Sequence, residues 1–123
     1  MKVLLSIKPE FANKIFSGDK RYEYRRSIFK RTDIEKVIVY ASAPVSAVIG
    51  EFEVGQILHD NLSELWNKTK NFSGISKEYF IKYFSEKNNG YAIEVSSFKR
   101  YDNPINIKLE YGMTPPQSFA YID

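Results

Sequence analysis

The most informative part of the sequence runs from Gly18 to Arg26 and reads Gly-Asp-Lys-Arg-Tyr-Glu-Tyr-Arg-Arg. It follows a helix-like run, Pro9 to Ser17, and its glycine is a natural helix stop because glycine enters the left-handed region without steric cost. The two tyrosines beyond the glycine favour a β-strand. The two-residue period of a strand places Arg21, Glu23 and Arg25 together, so we expect one face of this strand to be almost entirely ionic.

Two interpretations of this charged strand follow from its residues. In the first, it is a solvated edge strand whose cations discourage aggregation between sheets. In the second, it is an anion site, because guanidinium groups two residues apart on a strand lie roughly 6 to 7 Å apart and suit adjacent phosphates. Glu23 lies between Arg21 and Arg25 and could orient one of them. The residues alone leave both interpretations open.

The composition is that of one domain, which we expect to span residues 1–123. A chain of 123 residues with 43% hydrophobic content can bury a single core. No apolar run reaches the roughly 18 residues of a transmembrane helix, and Lys8 and Pro9 interrupt the N-terminal apolar run too early for a signal peptide. We therefore expect no membrane partner and a cytoplasmic location.

Several kinds of site are excluded by the residue counts. The chain has no cysteine, so it has no disulfide framework, thiolate metal site or cysteine nucleophile. Its only histidine, His59, rules out a histidine-based metal cluster and disfavours a Ser-His-Asp mechanism, and we interpret it as a loop residue. We expect no metal and no cofactor. Lysine, arginine, glutamate, tyrosine and hydroxyl chemistry remains.

The net charge of +3 is distributed unevenly along the chain. Residues 1–36 contain ten Lys or Arg against five Asp or Glu, whereas residues 37–123 contain eight against ten. A basic region of this kind is typical of a surface that binds a polyanion, although charge clusters also occur on proteins without such a ligand.

The remaining sequence alternates between strand and helix signals. Strands are predicted at Val3–Ile7, Val37–Tyr40, Ala47–Leu58, Tyr91–Val95 and Ile105–Leu109, with Phe98–Pro104 as a connection. A capping box from Asn61 to Glu64 and a second N-cap at Ser76 each predict the start of a helix. An aromatic stripe at helical spacing is interpreted as core rather than as a surface for ligand stacking; it comprises Tyr79, Phe80, Tyr83 and Phe84.

The motif Gly18-x-Lys20-x-x-Glu23-x-Arg25 resembles the Gly-x-Lys-x-x-Glu-x-Arg signature of ASCH domains. Three other stretches look like the same family, namely Leu5 to Pro9, Tyr40 to Pro44 and Pro115 to Phe119. The resemblance therefore spans the whole chain. It implies an α+β fold, a PUA-like mixed or antiparallel β-barrel with flanking helices. Because the family includes RNA binders, regulators and a few enzymes, the motif does not define an activity.

Together with this resemblance, the charges predict a protein that binds RNA or a nucleotide-like ligand in a basic cleft, as a binding module or regulator. Cations would neutralise phosphate, Tyr40 or Tyr24 would offer a stacking face, and the C-terminal Gln117 and Ser118 would form hydrogen bonds to a base or sugar. The cleft is predicted to be formed by Lys8, Lys20, Glu23, Arg25, Arg26, Tyr40, Ser42, Gln117 and Ser118.

The alternative is a small hydrolase or ribonuclease acting on RNA or a modified nucleoside. Neighbouring cations would lower the pKa of Lys20, and Glu23 would serve as general acid or base. An enzyme branch of the family that removes an acetyl group from a cytosine nucleoside resembles this chain at the lysine, but Glu23 occupies the position of that branch's threonine. This departure argues against amide hydrolysis and leaves nuclease activity open. A small anionic ligand in the same cleft is a third alternative, and the oligomeric state is also open.

Overall fold

The computed structural model describes residues 1–123 and has an α+β fold, in which helices flank one six-stranded sheet. The α+β class expected from the sequence is confirmed. The strands are β1 (Lys2–Ile7), β2 (Tyr22–Arg25), β3 (Lys36–Ala41), β4 (Ala47–Asn61), β5 (Asn89–Ile105) and β6 (Phe119–Ile122). The helices are α1 (Pro9–Ser17), α2 (Leu62–Thr69), α3 (Lys77–Tyr83) and α4 (Ile107–Tyr111), and a 3₁₀ turn, Lys70–Phe72, follows α2. None of the helices is long and apolar enough to cross a membrane.

The strands are arranged in the order β2-β5-β4-β3-β1-β6. β1 and β3 pair in parallel, and all other neighbouring strands are antiparallel. β2 and β6 are the two edges and do not pair with each other, so the sheet is not closed as the predicted barrel. We call the region between these two edges the seam.

Side chains bridge the seam instead of a strand ladder. Arg25 at the end of β2 donates from Nη2 to the backbone oxygen of Ser118, just before β6, at 2.7 Å. The hydroxyl oxygen of Tyr121 accepts a hydrogen bond from the backbone N–H of Lys30 at 2.9 Å. Phe29 is 4% exposed and its ring lies 6.1 Å from that of Phe119. The segment after β2 therefore fills the seam.

Three apolar clusters hold the fold together. The largest lies on one face of the sheet and includes Val37, Val39 and Phe52. A second cluster, with Tyr40 and Ile38, lies on the opposite face beneath α4, because successive strand residues point to opposite faces. The third joins α2 and α3 to β2 and β5 through Phe80 and other apolar side chains.

The expected helix boundaries after Gly18 and at both caps are present. α1 ends at Ser17, and Gly18 follows it as a left-handed cap with φ +86°. The side chain of Asn61 accepts from the backbone N–H of Glu64 at 2.9 Å, and that of Ser76 accepts from the N–H of Tyr79 at 3.1 Å. These local hydrogen bonds fix where α2 and α3 begin.

Two expectations about the C-terminal third are wrong. The predicted connection Phe98–Pro104 belongs to β5, which continues to Ile105 and pairs with the long strand β4. The predicted strand Ile105–Leu109 is mostly helix α4, because the side chain of Asn106 caps the N–H of Leu109 at 3.0 Å. The Asn106 cap was the available signal, and the apolar alternation of Ile105, Ile107 and Leu109 obscured it.

Candidate functional site

A cavity of about 380 Å³ lies where β2, α1, α3 and the segment before β6 meet. Four cations and a single carboxylate line it, and we call it the Lys20 cavity. Its volume falls in the range of about 300–1,000 Å³ typical of small-molecule sites. The lining residues are Ser6, Ile7, Lys8, Phe11, Lys20, Glu23, Tyr24, Arg25, Arg26, Ser27, Ile75, Tyr79, Tyr83, Gln117 and Ser118.

Lys20 is the most unusual side chain of this cavity, because a lysine is only 2% exposed in a protein of this size. Its Nζ donates to the backbone oxygen of Ser73 at 2.7 Å. The same nitrogen lies 4.7 Å from the ring centroid of Tyr24 and 5.5 Å from that of Phe11. One carbonyl and two aromatic rings therefore replace most of the water that an exposed ammonium would have.

A glycine from a distant loop makes this burial possible. Gly74 has φ +68°, and a Cβ placed there would lie 2.6 Å from Cβ of Lys20. Lys14 on α1 donates from Nζ to the backbone oxygen of Gly74 at 3.0 Å, which ties the loop to α1. Glycine is required at this position because both the backbone conformation and the close approach exclude a side chain.

Burial lowers the pKa of Lys20 from 10.5 to about 8. The negative charge of Glu23 opposes this shift, and the positive charge of Lys14 adds to it. The expected lowering of the pKa is therefore present, but desolvation rather than neighbouring cations is its main cause. About a tenth of the side chains would be neutral at pH 7, so Lys20 could exchange a proton near neutral pH.

Glu23 and Arg25 form a fixed ion pair beside Lys20. Nη1 of Arg25 lies 3.4 Å from Oε2 of Glu23, and the two side chains are 13% and 8% exposed. Arg25 also donates to the backbone oxygens of Ser118, at 2.7 Å, and Ser6, at 3.5 Å. β2 is an edge strand, as the first interpretation required, but Glu23 is buried rather than solvated. The exposed Arg21 lies over the Phe72 ring and does not line the cavity.

Two tyrosines of α3 form an aromatic wall of the cavity. The rings of Tyr79 and Tyr83 are nearly parallel, with centroids 6.4 Å apart. Lys8 donates to the hydroxyl of Tyr79 at 3.3 Å, and the guanidinium of Arg26 lies 4.5 Å from the Tyr83 centroid. The sequence predicts that the whole stripe is core. Phe80 and Phe84 are core, whereas the two tyrosines reach the cavity. The alternation of tyrosine with phenylalanine was the available signal.

Seven of the nine predicted ligand-binding residues line the Lys20 cavity, and two do not. Tyr40 points to the opposite face of the sheet and is 5% exposed, so it offers no stacking surface. Ser42 lies in the turn beyond β3, where its N–H donates to the backbone oxygen of Ile7 at 3.0 Å. That the seven bind a ligand stays a prediction; they are Lys8, Lys20, Glu23, Arg25, Arg26, Gln117 and Ser118.

The histidine and carboxylate side chains of the protein do not form a metal site. No group of three or more His, Cys, Asp or Glu side chains is placed so that it could hold a metal ion. His59 belongs to β4 rather than to a loop, which corrects the expectation for this residue. Its ring stacks on that of Tyr91, with centroids 4.0 Å apart.

Comparisons with known proteins agree with the motif around Lys20. The family model for the ASCH domain matches residues 5–105. The chain is 28% identical over 127 residues to a protein named ASCH domain-containing ribonuclease from Zymomonas mobilis, covering 98% of this chain and 84% of that protein. It is also 29% identical over 122 residues to ATP synthase subunit alpha of Ureaplasma parvum, but it covers only 15% of that protein's length against 98% of its own.

Solved structures show the same relationship at the level of the fold. The crystal structure of a serine-to-alanine variant of the Zymomonas mobilis ASCH protein superposes with a TM-score of 0.91. It is 26% identical in sequence, and the alignment covers 99% of this chain and 88% of the other. The six-stranded sheet with flanking helices is therefore the ASCH, PUA-like fold. The protein belongs to the ASCH domain family.

Proposed function

We propose that this protein binds single-stranded RNA with one nucleotide in the Lys20 cavity and cleaves the strand there. The observation that carries the proposal is a buried lysine with a pKa of about 8 beside the buried carboxylate of Glu23, in a cavity lined by four cations. The similarity to a protein named a ribonuclease, over 98% of this chain and 84% of that protein, supports cleavage as the outcome of binding.

The cations of the Lys20 cavity would bind the phosphates of the RNA. Arg25 is held by two backbone oxygens, so its guanidinium is already oriented and loses little freedom on binding. Lys8 and Arg26 are exposed at the cavity and would bind the phosphates on either side. When these cations bind RNA phosphates, the counterions that surround the RNA are released. Binding of RNA should therefore weaken as the salt concentration rises.

The aromatic wall would stack on the base of the bound nucleotide, and the C-terminal segment would form hydrogen bonds to its sugar or base. Tyr79 and Tyr83 present rings on which a base can stack, and stacking of this kind tolerates any base. Gln117 and Ser118 are exposed polar residues that can bond to the sugar hydroxyls or a base edge. These groups would orient the ribose so that its 2′-hydroxyl faces the phosphorus atom.

Cleavage needs one proton acceptor and one proton donor. The 2′-oxygen attacks the phosphorus atom and passes its proton to the carboxylate of Glu23. The bond from phosphorus to the 5′-oxygen breaks, and the ammonium of Lys20 protonates that oxygen. The products are a 2′,3′-cyclic phosphate and a free 5′-hydroxyl. Arg25 stabilises the extra negative charge on the phosphate oxygens during the attack.

The test uses a mixed-sequence single-stranded RNA with a 5′ label, at two salt concentrations, with bound and cleaved RNA separated on gels. Lys20→Met and Glu23→Gln keep the size of the side chain but remove the proton donor or acceptor. We expect each to reduce the cleavage rate by at least about a hundredfold while binding persists. Lys108→Met on α4, which does not line the cavity, is the matched control and should cleave as the wild type does.

Other outcomes would assign a different function. Salt-sensitive binding of RNA that stays intact would identify a binding module without catalysis. Binding to neither single-stranded nor structured RNA at either salt concentration would reject RNA as the ligand and leave a small anion for the same cavity. Cleavage that persists at the wild-type rate in both cavity variants would contradict the roles of Lys20 and Glu23.

A further inference from the structure

A second groove, of about 830 Å³, lies beside the segment that fills the seam. Arg26 and Ser27 line both this groove and the Lys20 cavity, so the two spaces meet at the start of that segment. We call the second space the His59 groove. Its lining consists of Arg26, Ser27, Ile28, Phe29, Lys30, Arg31, Thr32, Ile34, Val54, Gly55, Ile57, His59, Asn89 and Tyr91.

The charged side chains that line the His59 groove are all positive. Arg26, Lys30 and Arg31 line it, and no carboxylate does. Arg31 is held by a bidentate pair with Asp33, at 2.6 and 2.8 Å, which neutralises much of its charge. Lys30 is exposed and takes part in no salt bridge. Arg26 and Lys30 are thus the cations that are available to an anionic ligand.

The sheet places an aromatic stack at a defined distance from Arg25. Arg25 on β2 pairs with Tyr91 on β5, and Tyr91 pairs with His59 on β4. Adjacent strands are about 4.8 Å apart, so the backbones of Arg25 and His59 are separated by roughly 10 Å. The rings of His59 and Tyr91 stack with an interplanar angle of 13°, and His59 is exposed.

We propose that the His59 groove binds the nucleotides that flank the cleaved position in the same single RNA strand. A cationic groove with aromatic rings is the arrangement that holds single-stranded nucleic acid, because phosphates contact the cations and bases stack on the rings. Lys30 contacts a phosphate, and the His59–Tyr91 stack supports a base. Arg26 and Ser27 line both the groove and the Lys20 cavity, so one strand that passes over these two residues occupies both spaces. This inference rests on the proposed function and extends it from one nucleotide to a longer single-stranded substrate.

The experiment compares two labelled single-stranded oligonucleotides, a trinucleotide and a decanucleotide, both 2′-O-methylated so that they cannot be cleaved. Fluorescence anisotropy gives the affinity of the wild type and of Lys30→Ala, His59→Ala, Arg25→Gln and Lys108→Ala at several salt concentrations. In the wild type, the decanucleotide should bind at least about tenfold more tightly than the trinucleotide, because additional phosphates and bases are engaged. Thermal melting of each variant verifies that it is folded.

The variants separate the two spaces. Lys30→Ala and His59→Ala should each weaken decanucleotide binding by about three- to tenfold and weaken trinucleotide binding less, because a trinucleotide places at most one nucleotide in the groove. Lys30→Ala should also reduce the slope of log affinity against log salt by about 0.7, the value for one phosphate contact on a single strand. Lys108→Ala, outside both spaces, should change neither affinity.

The failure of this inference differs from failure of the proposed function. Two results would overturn the role of the His59 groove: equal affinity for the two oligonucleotides, or a Lys30→Ala variant that binds as Lys108→Ala does. Neither result would affect the proposed role of the Lys20 cavity. Trinucleotide binding that is unchanged in Arg25→Gln would overturn the proposed function at the cavity. Binding of neither oligonucleotide by the wild type would overturn both.

Discussion

The buried ammonium of Lys20 should make the protein less stable at neutral pH than at alkaline pH. The pKa of this lysine is about 8 in the folded state, against 10.5 for a solvated lysine such as that of the unfolded chain. Between these two values, the unfolded chain binds more protons than the folded one. The free energy of unfolding therefore rises with pH in this window, because the penalty of burying the charge disappears as Lys20 loses its proton.

The size of this effect on the free energy of unfolding follows from the two pKa values of Lys20. Lowering the pKa from 10.5 to about 8 corresponds to a penalty of about 3 kcal/mol at pH 7. Raising the pH from 7 to 9.5 should recover about 2 kcal/mol of this. Lys20→Met removes the penalty but leaves the backbone oxygen of Ser73 without its 2.7 Å hydrogen bond, which costs about 1 kcal/mol. The variant should thus be more stable than the wild type by about 1–2 kcal/mol at pH 7.

Urea unfolding of both proteins at several pH values between 7 and 9.5 measures these differences. The pKa of Tyr24 is raised to about 12, chiefly by burial, so this tyrosine stabilises the fold below pH 10 and loses its contribution only above that range. The advantage of Lys20→Met should decrease steadily across the window. A wild type whose stability relative to the variant is the same at pH 7 and pH 9.5 would refute the shifted pKa of Lys20.

Three further substitutions test the architecture around the cavity. Gly74→Ala places a side chain at φ +68° and 2.6 Å from Cβ of Lys20. It should reduce the free energy of unfolding, measured by urea denaturation, by about 2–4 kcal/mol. A loss of less than about 1 kcal/mol would contradict the close packing of Gly74 against Lys20. Asn61→Ala removes the N-cap of α2 and should cost about 1 kcal/mol in the same assay, whereas Asn61→Asp, which keeps the acceptor, should cost little. Arg25→Gln should weaken RNA binding and reduce its salt slope by about 0.7, and an unchanged slope would show that Arg25 contacts no phosphate.

Local signals in the sequence were sufficient for much of the fold. The run from Pro9 to Gly18 contains its own start and stop, and Asn61 and Ser76 cap helices through bonds to residues three positions away. The charged strand after Gly18 follows from its tyrosines and its two-residue period. Such features depend on neighbours in the sequence, so they can be predicted without knowledge of the tertiary structure.

Features that depend on distant residues were missed. The burial of Lys20 requires Ser73 and Gly74, more than fifty positions away, and no local pattern indicates that a lysine in a basic stretch loses its water. The sequence predicts a stacking role for Tyr40 because the stretch from Tyr40 to Pro44 resembles the family, but strand alternation directs its side chain to the opposite face. Tyr79 and Tyr83 share the helical spacing of Phe80 and Phe84, and only the tertiary structure shows which rings reach the cavity.

The pH dependence of RNA cleavage tests the role of Lys20 most directly. The ratio kcat/KM reports the pKa values of the free protein, in which that of Lys20 is about 8. If the ammonium of Lys20 protonates the departing 5′-oxygen, kcat/KM should fall about tenfold per pH unit above pH 8. Lys20→Met should lack both the activity and this limb of the profile. A folded Lys20→Met protein that cleaves RNA at the wild-type rate, with the same fall above pH 8, would contradict the proposed site.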